Sequence, residues 1–215
     1  NVEPFRKVFL KYTRAAFKLL PRMDHPCILD IGCGTGLPTL ELARLSNGDI
    51  FAIDPDAIDL EDLKSKVSQL GLTHRIKILN SRITSTGLPD ETFNLLWDEG
   101  TLHLVDLRKS LKECHRLLKP DGFLVMAETN SWMKNKFKIL NHQGFALWDQ
   151  FPWPAGCWWS EYYQPLEEKV KEIRRLYPDS KNIDRLNQLR GEIEMVKRNP
   201  RKFDCSFYIF KKNRT

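Results

Sequence analysis

The sequence is poor in the features that mark several large classes of protein. Its five cysteines, Cys27, Cys33, Cys114, Cys157 and Cys205, include no C-x-x-C pair. Zinc-type spacing is therefore excluded and an odd count argues against a disulfide framework, so reduced thiols in a cytoplasmic setting are expected. No apolar run approaches the ~20 residues that cross a bilayer. The opening stretch NVEPFRKVFLKYTRAAF lacks the apolar core of a secretion signal. Neither an internal repeat nor a low-complexity tract is visible. The net charge is +6, with much of the excess near the C-terminus. No dense Lys/Arg run is interleaved with stacking aromatics, so this charge reads as a solvated surface and nucleic acid is not expected as a partner.

What is present suits one α/β domain spanning residues 1–215. Phe5, Val8, Phe9, Tyr12, Ala15, Ala16 and Leu19 recur at helical spacing, which predicts an amphipathic helix over 5–19 within an N-terminal segment 1–24. CILDI (27–31), DIFAID (49–54), RIKIL (75–79), FNLLW (93–97) and GFLVMAE (122–128) read as strands. Helical patterns separate most of them, including one from Leu107 to Leu118 that stops at Pro120-Asp121-Gly122. Strands and helices alternating at this pace predict βαβ units and a mainly parallel sheet. Beyond residue 130 come a short helix (133–142), a strand FALWDQFPW (145–153) and an aromatic segment WPAGCWWSEYY (153–163). Two helices follow, carried by Leu166, Val170, Ile173 and Leu176, and by Ile183, Leu186, Leu189, Ile193 and Val196. FDCSFYIF (203–210) reads as the last strand.

The stretch LDIGCGTG (29–36) places Gly32, Gly34 and Gly36 at alternate positions between a strand and a helix. A dinucleotide turn has the pattern G-x-G-x-x-G, and Leu37 stands where its third glycine belongs. No lysine follows the turn, so the P-loop pattern is absent too. Asp30 precedes the first glycine by two positions, where its charge repels phosphate and suits an ammonium group. Asp54 ends the next strand and suits a pair of ribose hydroxyls. Together these describe a site for a nucleoside with a cationic amino-acid tail, S-adenosylmethionine.

At these residues the sequence resembles the class I S-adenosylmethionine-dependent methyltransferases. Asp30, Gly32, Gly34 and Gly36 match the family's first motif and Asp54 its second. The likeness continues through LPDETFNLLW (88–97), where Asn94 replaces the usual Asp, and LLKPDGFLVMAE (117–128). It implies a Rossmann-like fold with a seven-stranded sheet in the order 3-2-1-4-5-7-6, strand 7 antiparallel, and helices on both faces. It also implies that Asp30 approaches the methionine amino group and that the turn Gly32-Cys33-Gly34 through Gly36 passes under the cofactor. Asp54 would bind the ribose and Pro55 would lie against the adenine. Ser81 and Arg82 match the adenine-binding pair loosely, and Asp98 falls at the cofactor's edge. Residues 25–130 would form the cofactor-binding core, and 131–200 the substrate lid and C-terminal helices. W-x-E-G after the fourth strand and CWWSEYYQP (157–165) resemble a narrower bacterial and archaeal small-molecule subgroup, related to the ubiquinone/menaquinone-biosynthesis type.

Methyl transfer needs an aligned nucleophile and a group to take its proton. Asp98, Glu99 and His103 follow the fourth strand, and Glu128 and Asn130 end the fifth, where an open α/β sheet binds its ligands. His103 is a candidate general base, Glu99 a candidate to orient substrate or sulfonium, Glu128 a further catalytic candidate, and no resident metal is expected. A hydrogen-bonded core histidine is the competing reading of His103. Trp132, Trp153, Trp158, Trp159, Tyr162 and Tyr163 read as a substrate pocket wall or as core. Four other functions stay open: a metal-assisted O-methyltransferase using Asp98, Glu128 and Asn130; an RNA methyltransferase; a catalytically inactive cofactor-binding module; and a NAD-dependent dehydrogenase.

Overall fold

The computed structural model describes residues 2–176 and 183–213. The side chain of Ile183, assigned above to a helix face, lies outside the described residues. In chain order the elements are α1 (Glu3–Arg6), a 3-10 turn (Lys7–Phe9), α2 (Leu10–Phe17), β1 (Cys27–Ile31), α3 (Leu37–Leu45), β2 (Asp49–Asp54), α4 (Ala57–Gln69), β3 (Ile76–Asn80) and β4 (Phe93–Glu99). There follow a 3-10 turn (Leu102–Leu104), α5 (Leu107–Leu117), β5 (Leu118–Thr129), α6 (Asn130–Met133), α7 (Phe137–His142) and β6 (Phe145–Pro152). A π-helical turn (Trp158–Tyr163), α8 (Gln164–Leu176), α9 (Ile183–Arg198), a 3-10 turn (Pro200–Phe203) and β7 (Cys205–Lys212) complete the chain.

The sheet has seven strands in the order β3-β2-β1-β4-β5-β7-β6. β1 to β5 pair in parallel, and β7 runs antiparallel to both β5 and β6. The central strands are buried on both faces, so they read as near-continuous apolar runs and not as alternating ones. One face carries Ile28, Leu95, Trp97, Val125 and Phe207, covered by α2, α3, α4, the aromatic segment, α8 and α9. The other carries Leu29, Leu96, Leu124, Met126 and Tyr208, covered by α5, α6 and α7.

Several boundaries differ from those the sequence suggests. The N-terminal helix is interrupted at Lys7–Phe9 by the 3-10 turn and ends at Phe17. β4 continues two residues past Trp97, so Asp98 and Glu99 belong to the strand and not to the loop after it. Pro120-Asp121-Gly122 does not separate α5 from β5. It forms a bulge in which Phe93 pairs with Leu118 and Leu95 with Phe123, Asp121 taking φ +62°. β7 starts at Cys205 because Pro200–Phe203 is spent on the preceding 3-10 turn.

Asn94 takes a structural part at the edge of this bulge. Its Oδ1 accepts from the Cys27 backbone N–H at 3.0 Å and from Lys119 Nζ at 3.1 Å, joining β1 to β5 through β4. An aspartate can accept both bonds and adds charge attraction to Lys119, whereas an alanine leaves a partly buried N–H unpaired. Asn94→Ala is expected to lose about 1–3 kcal/mol in urea unfolding, and Asn94→Asp to retain wild-type stability or better.

Candidate cofactor and active site

After β1 the chain turns through Gly32, Gly34 and Gly36, all at positive φ (+68°, +49° and +88°). The Gly32 and Cys33 N–H groups donate to the Ile53 carbonyl at 2.8 and 3.0 Å, which ties the turn to the end of β2. A Cβ on Gly32 would lie 1.9 Å from Thr101 Oγ1, and one on Gly36 would lie 2.1 Å from Leu63 Cδ1. These two glycines therefore let β4's loop and α4 close on the turn. Gly34 faces a carboxylate: its N–H donates to Asp54 Oδ2 at 2.9 Å, while Asp54 Oδ1 accepts from the Asp56 N–H at 2.8 Å. Asp54 is thus held rigidly at the carboxyl end of β2, partly exposed, with the exposed Pro55 beside it. Ile58, on the first turn of α4, is 82% exposed, an apolar surface near Asp54 that helical patterning did not single out.

Carboxylates dominate the charge around the turn, with Arg6 acting on Glu99 from a distance. Asp30 is fully buried and accepts from Thr39 Oγ1 at 2.5 Å. Burial pushes its carboxyl up to about 7, the Thr39 bond opposes that rise, and Glu99 and Asp54 add to it. Glu99 and Asp59 are also pushed up, chiefly by burial. The lysine at the turn, Lys66, donates to the Thr35 carbonyl at 3.0 Å and pairs with Glu3 and Asp62 at 2.6 and 2.9 Å, so it is already neutralised. Such a cradle repels phosphate and suits ammonium or sulfonium. Ser81 contacts the same strand end, its N–H donating to the Asp54 carbonyl at 3.2 Å, while the neighbouring Arg82 side chain is exposed.

The polar residues ending β4 and β5 divide between the two faces of the sheet. Glu99 shares a face with Trp97, and its Oε1 accepts from both Thr13 Oγ1 and Trp97 Nε1 at 2.8 Å. Asp98 points the other way. Its Oδ1 caps the loop through the Thr101 and Leu102 N–H groups at 2.9 and 3.1 Å, and its buried Oδ2 has no partner among the described residues. Burial, reinforced by the Glu128 charge, raises Asp98 well above the usual carboxylate range. Glu128 lies on the Asp98 side, buried, with Oε1 3.0 Å from His103 Nδ1. His103, in the Leu102–Leu104 turn, keeps 38% of its side chain exposed, and its bond to Glu128 pushes its pKa up against the effect of burial. The structure therefore joins His103 to Glu128 but sets Glu99 apart from both.

The aromatic residues divide in the same way. Trp132 stands edge-on to His103 with ring centres 6.4 Å apart, and Lys136 lies over its ring at 5.2 Å. Trp153, Trp158, Trp159, Tyr162 and Tyr163 sit on the opposite face with Phe9 and Tyr12. Within that group Phe9 meets Trp158 at 4.5 Å and Tyr12 meets Trp153 at 4.7 Å. Trp153 and Tyr162 are 8% and 5% exposed, so both are packed core; Trp158, Trp159 and Tyr163 are half-buried. The Asn130 side chain is engaged elsewhere, its Oδ1 accepting from Ser206 Oγ and Tyr208 Oη at 2.8 Å. No group of three or more His, Cys, Asp or Glu side chains converges as a metal site among the described residues. Thr13 and Thr39, which orient Glu99 and Asp30, carry no sequence signal of their own; only the fold brings them to those carboxylates.

Residues 29–126 match the family described as Methyltransferase domain. The chain is 30% identical over 173 residues to a ubiquinone biosynthesis O-methyltransferase from Rhodopseudomonas palustris, covering 72% of this chain and 66% of that protein. It is 33% identical over 120 residues to the uncharacterized methyltransferase YodH from Bacillus subtilis, covering 55% and 50%. The chain spans about a third to a half of the length of several curated relatives that it matches. Among solved structures, the [4+2]-cyclase SpnF superposes with a TM-score of 0.80 at 18% identity, covering 95% of this chain and 81% of that one. No helix among the described residues is long and apolar enough to cross a membrane. The strand order, the glycine turn with its carboxylates and the matched segment agree: the chain has the class I methyltransferase fold, and its residues 29–126 are similar to the Methyltransferase domain family.

Proposed function

We propose that the protein moves a methyl group from S-adenosylmethionine to a small-molecule acceptor, with the acceptor bound between the ends of β4 and β5. The observation that carries this reading is the glycine turn ringed by Asp30, Asp54, Asp59 and Glu99, in which Asp54 is fixed by the Gly34 N–H. In this reading Asp54 receives the ribose hydroxyls, Pro55 and Ser81 border the adenine, and Asp30 and Glu99 face the cationic methionine end. The cofactor supplies a methyl carbon already activated by its sulfonium. His103 takes the acceptor's proton on Nε2, which has no partner among the described residues. Glu128 accepts the Nδ1–H and stabilises the imidazolium that results. Residues 25–130 hold the cofactor, and Trp132, beside His103, borders the acceptor. The likeness to a ubiquinone biosynthesis O-methyltransferase supports a ring-bearing hydroxyl compound as acceptor.

Calorimetric titration tests the donor half. S-adenosylhomocysteine is expected to bind and NAD not to bind, and Asp54→Asn is expected to weaken the former by at least tenfold through loss of charge-assisted hydrogen bonds. Labelled-methyl transfer across a panel of phenols and hydroxy compounds tests the acceptor half. His103→Ala should lower kcat by about 10²–10⁴ with the true acceptor, and undiminished turnover would sink the base assignment. Retention of turnover in EDTA separates this reading from a metal-assisted one.

Glu128 also sets a pH dependence. Because its bond raises the His103 pKa, the neutral imidazole needed to take a proton forms only as pH rises through that raised value. Glu128→Gln should let the His103 pKa fall back and move the rising limb of kcat/KM to lower pH. An unmoved limb would show that His103 is not the titrating group.

A further inference from the structure

Three consecutive residues of α2 each donate to a carboxylate on a different element. Tyr12 Oη reaches Glu161 of the π-helical turn at 2.6 Å, Thr13 Oγ1 reaches Glu99 of β4 at 2.8 Å, and Arg14 Nε reaches Glu41 of α3 at 2.5 Å. Successive residues on a helix are turned by about 100°, so one short helix can serve three directions at once. The middle bond is the one aimed at the cofactor cleft. Thr13 is fully buried and 86 positions away from Glu99 in sequence. Trp97 Nε1 donates to the same oxygen, so Oε1 is held twice while Oε2 has no partner among the described residues. Ile31 is in register with Asp98, so Glu99 and Gly32 each stand one residue further along adjacent strands. The unpartnered oxygen thus belongs to a carboxylate at the first glycine of the turn.

We propose that Thr13 is a positioning residue: with Trp97 it locks one oxygen of Glu99 so that the other meets the cationic amino-acid tail of the cofactor. The inference rests on the cofactor reading above and adds that the N-terminal helix completes the cofactor site. Without the Thr13 hydroxyl the carboxylate is held by a single donor and its rotation is less restricted, so a cation opposite it is bound less tightly. The nucleoside end, held by Asp54 on β2, does not depend on Thr13.

The test compares two ligands that share the nucleoside and differ in the tail. S-adenosylhomocysteine carries the ammonium; 5′-methylthioadenosine carries none. Thr13→Ala and Thr13→Ser both lack the methyl and differ only in the hydroxyl, while Thr13→Val keeps the shape. Thr13→Ala and Thr13→Val are expected to lose about tenfold in affinity for S-adenosylhomocysteine, Thr13→Ser to retain it, and all three to bind 5′-methylthioadenosine as the wild type does. The inference is overturned if Thr13→Ala binds S-adenosylhomocysteine normally, or if both ligands weaken together, which is the mark of a general packing defect. Should Thr13→Val fail to fold, the Ala/Ser pair still decides. The underlying cofactor reading fails separately, if Asp54→Asn leaves both ligands bound at wild-type affinity.

Discussion

β4 lies in the middle of the sheet and is covered on both faces, and its side chains alternate between them. Because the strand runs on to Glu99, two adjacent carboxylates leave it in opposite directions. Asp98 enters the side that holds Glu128, His103 and Trp132; Glu99 enters the side that holds Trp97, Thr13 and the aromatic segment. This alternation divides the site. In the proposed function, proton transfer belongs to one face and fixing the methyl donor's cationic end to the other, and the backbone of β4 relates the two.

The second constraint is electrostatic. Asp30, Asp98 and Glu99 lie deep at the strand ends without a lysine or arginine hydrogen-bonded to any of them among the described residues, and burial raises all three carboxyls. A buried carboxylate without a partner is costly. Here hydroxyl, indole and backbone N–H donors from Thr39, Thr13, Trp97, Thr101 and Leu102 offset part of that cost. A cationic ligand would offset more, which links the stability of the strand ends to occupancy of the cleft. The superposition on a [4+2]-cyclase shows that this fold does not by itself dictate methyl transfer.

Much of the fold was legible in the chain because local rules apply to it. Five parallel strands follow from apolar runs separated by helical periods, and the glycine turn from Gly32, Gly34 and Gly36. The order 3-2-1-4-5-7-6 came from the family resemblance, and the structure has it. Boundaries were less legible where a tertiary partner extends or interrupts an element. Pairing with Ala127 of β5 carries β4 to Glu99, and the bulge opposite Phe93 absorbs Pro120-Asp121-Gly122. At the site, His103 beside Glu128 was suggested by both lying at strand ends, but a fold without side-chain positions leaves their 3.0 Å contact open. Grouping Glu99 with them, or Trp132 with the aromatic segment, overlooked the alternation of strand faces.

By itself the sequence determined the alternation of strands and helices, the glycine turn and the acidic residues beside it, since these depend on local backbone freedom and the sign of charge. Only the tertiary structure decided which side chains meet. Thr13 with Glu99, Thr39 with Asp30, Asn94 with Lys119 and Trp153 with Tyr12 are contacts between elements distant in the chain or set by register. No spacing rule encodes them, because a one-residue change in where a strand ends moves its last side chain to the other face of the sheet.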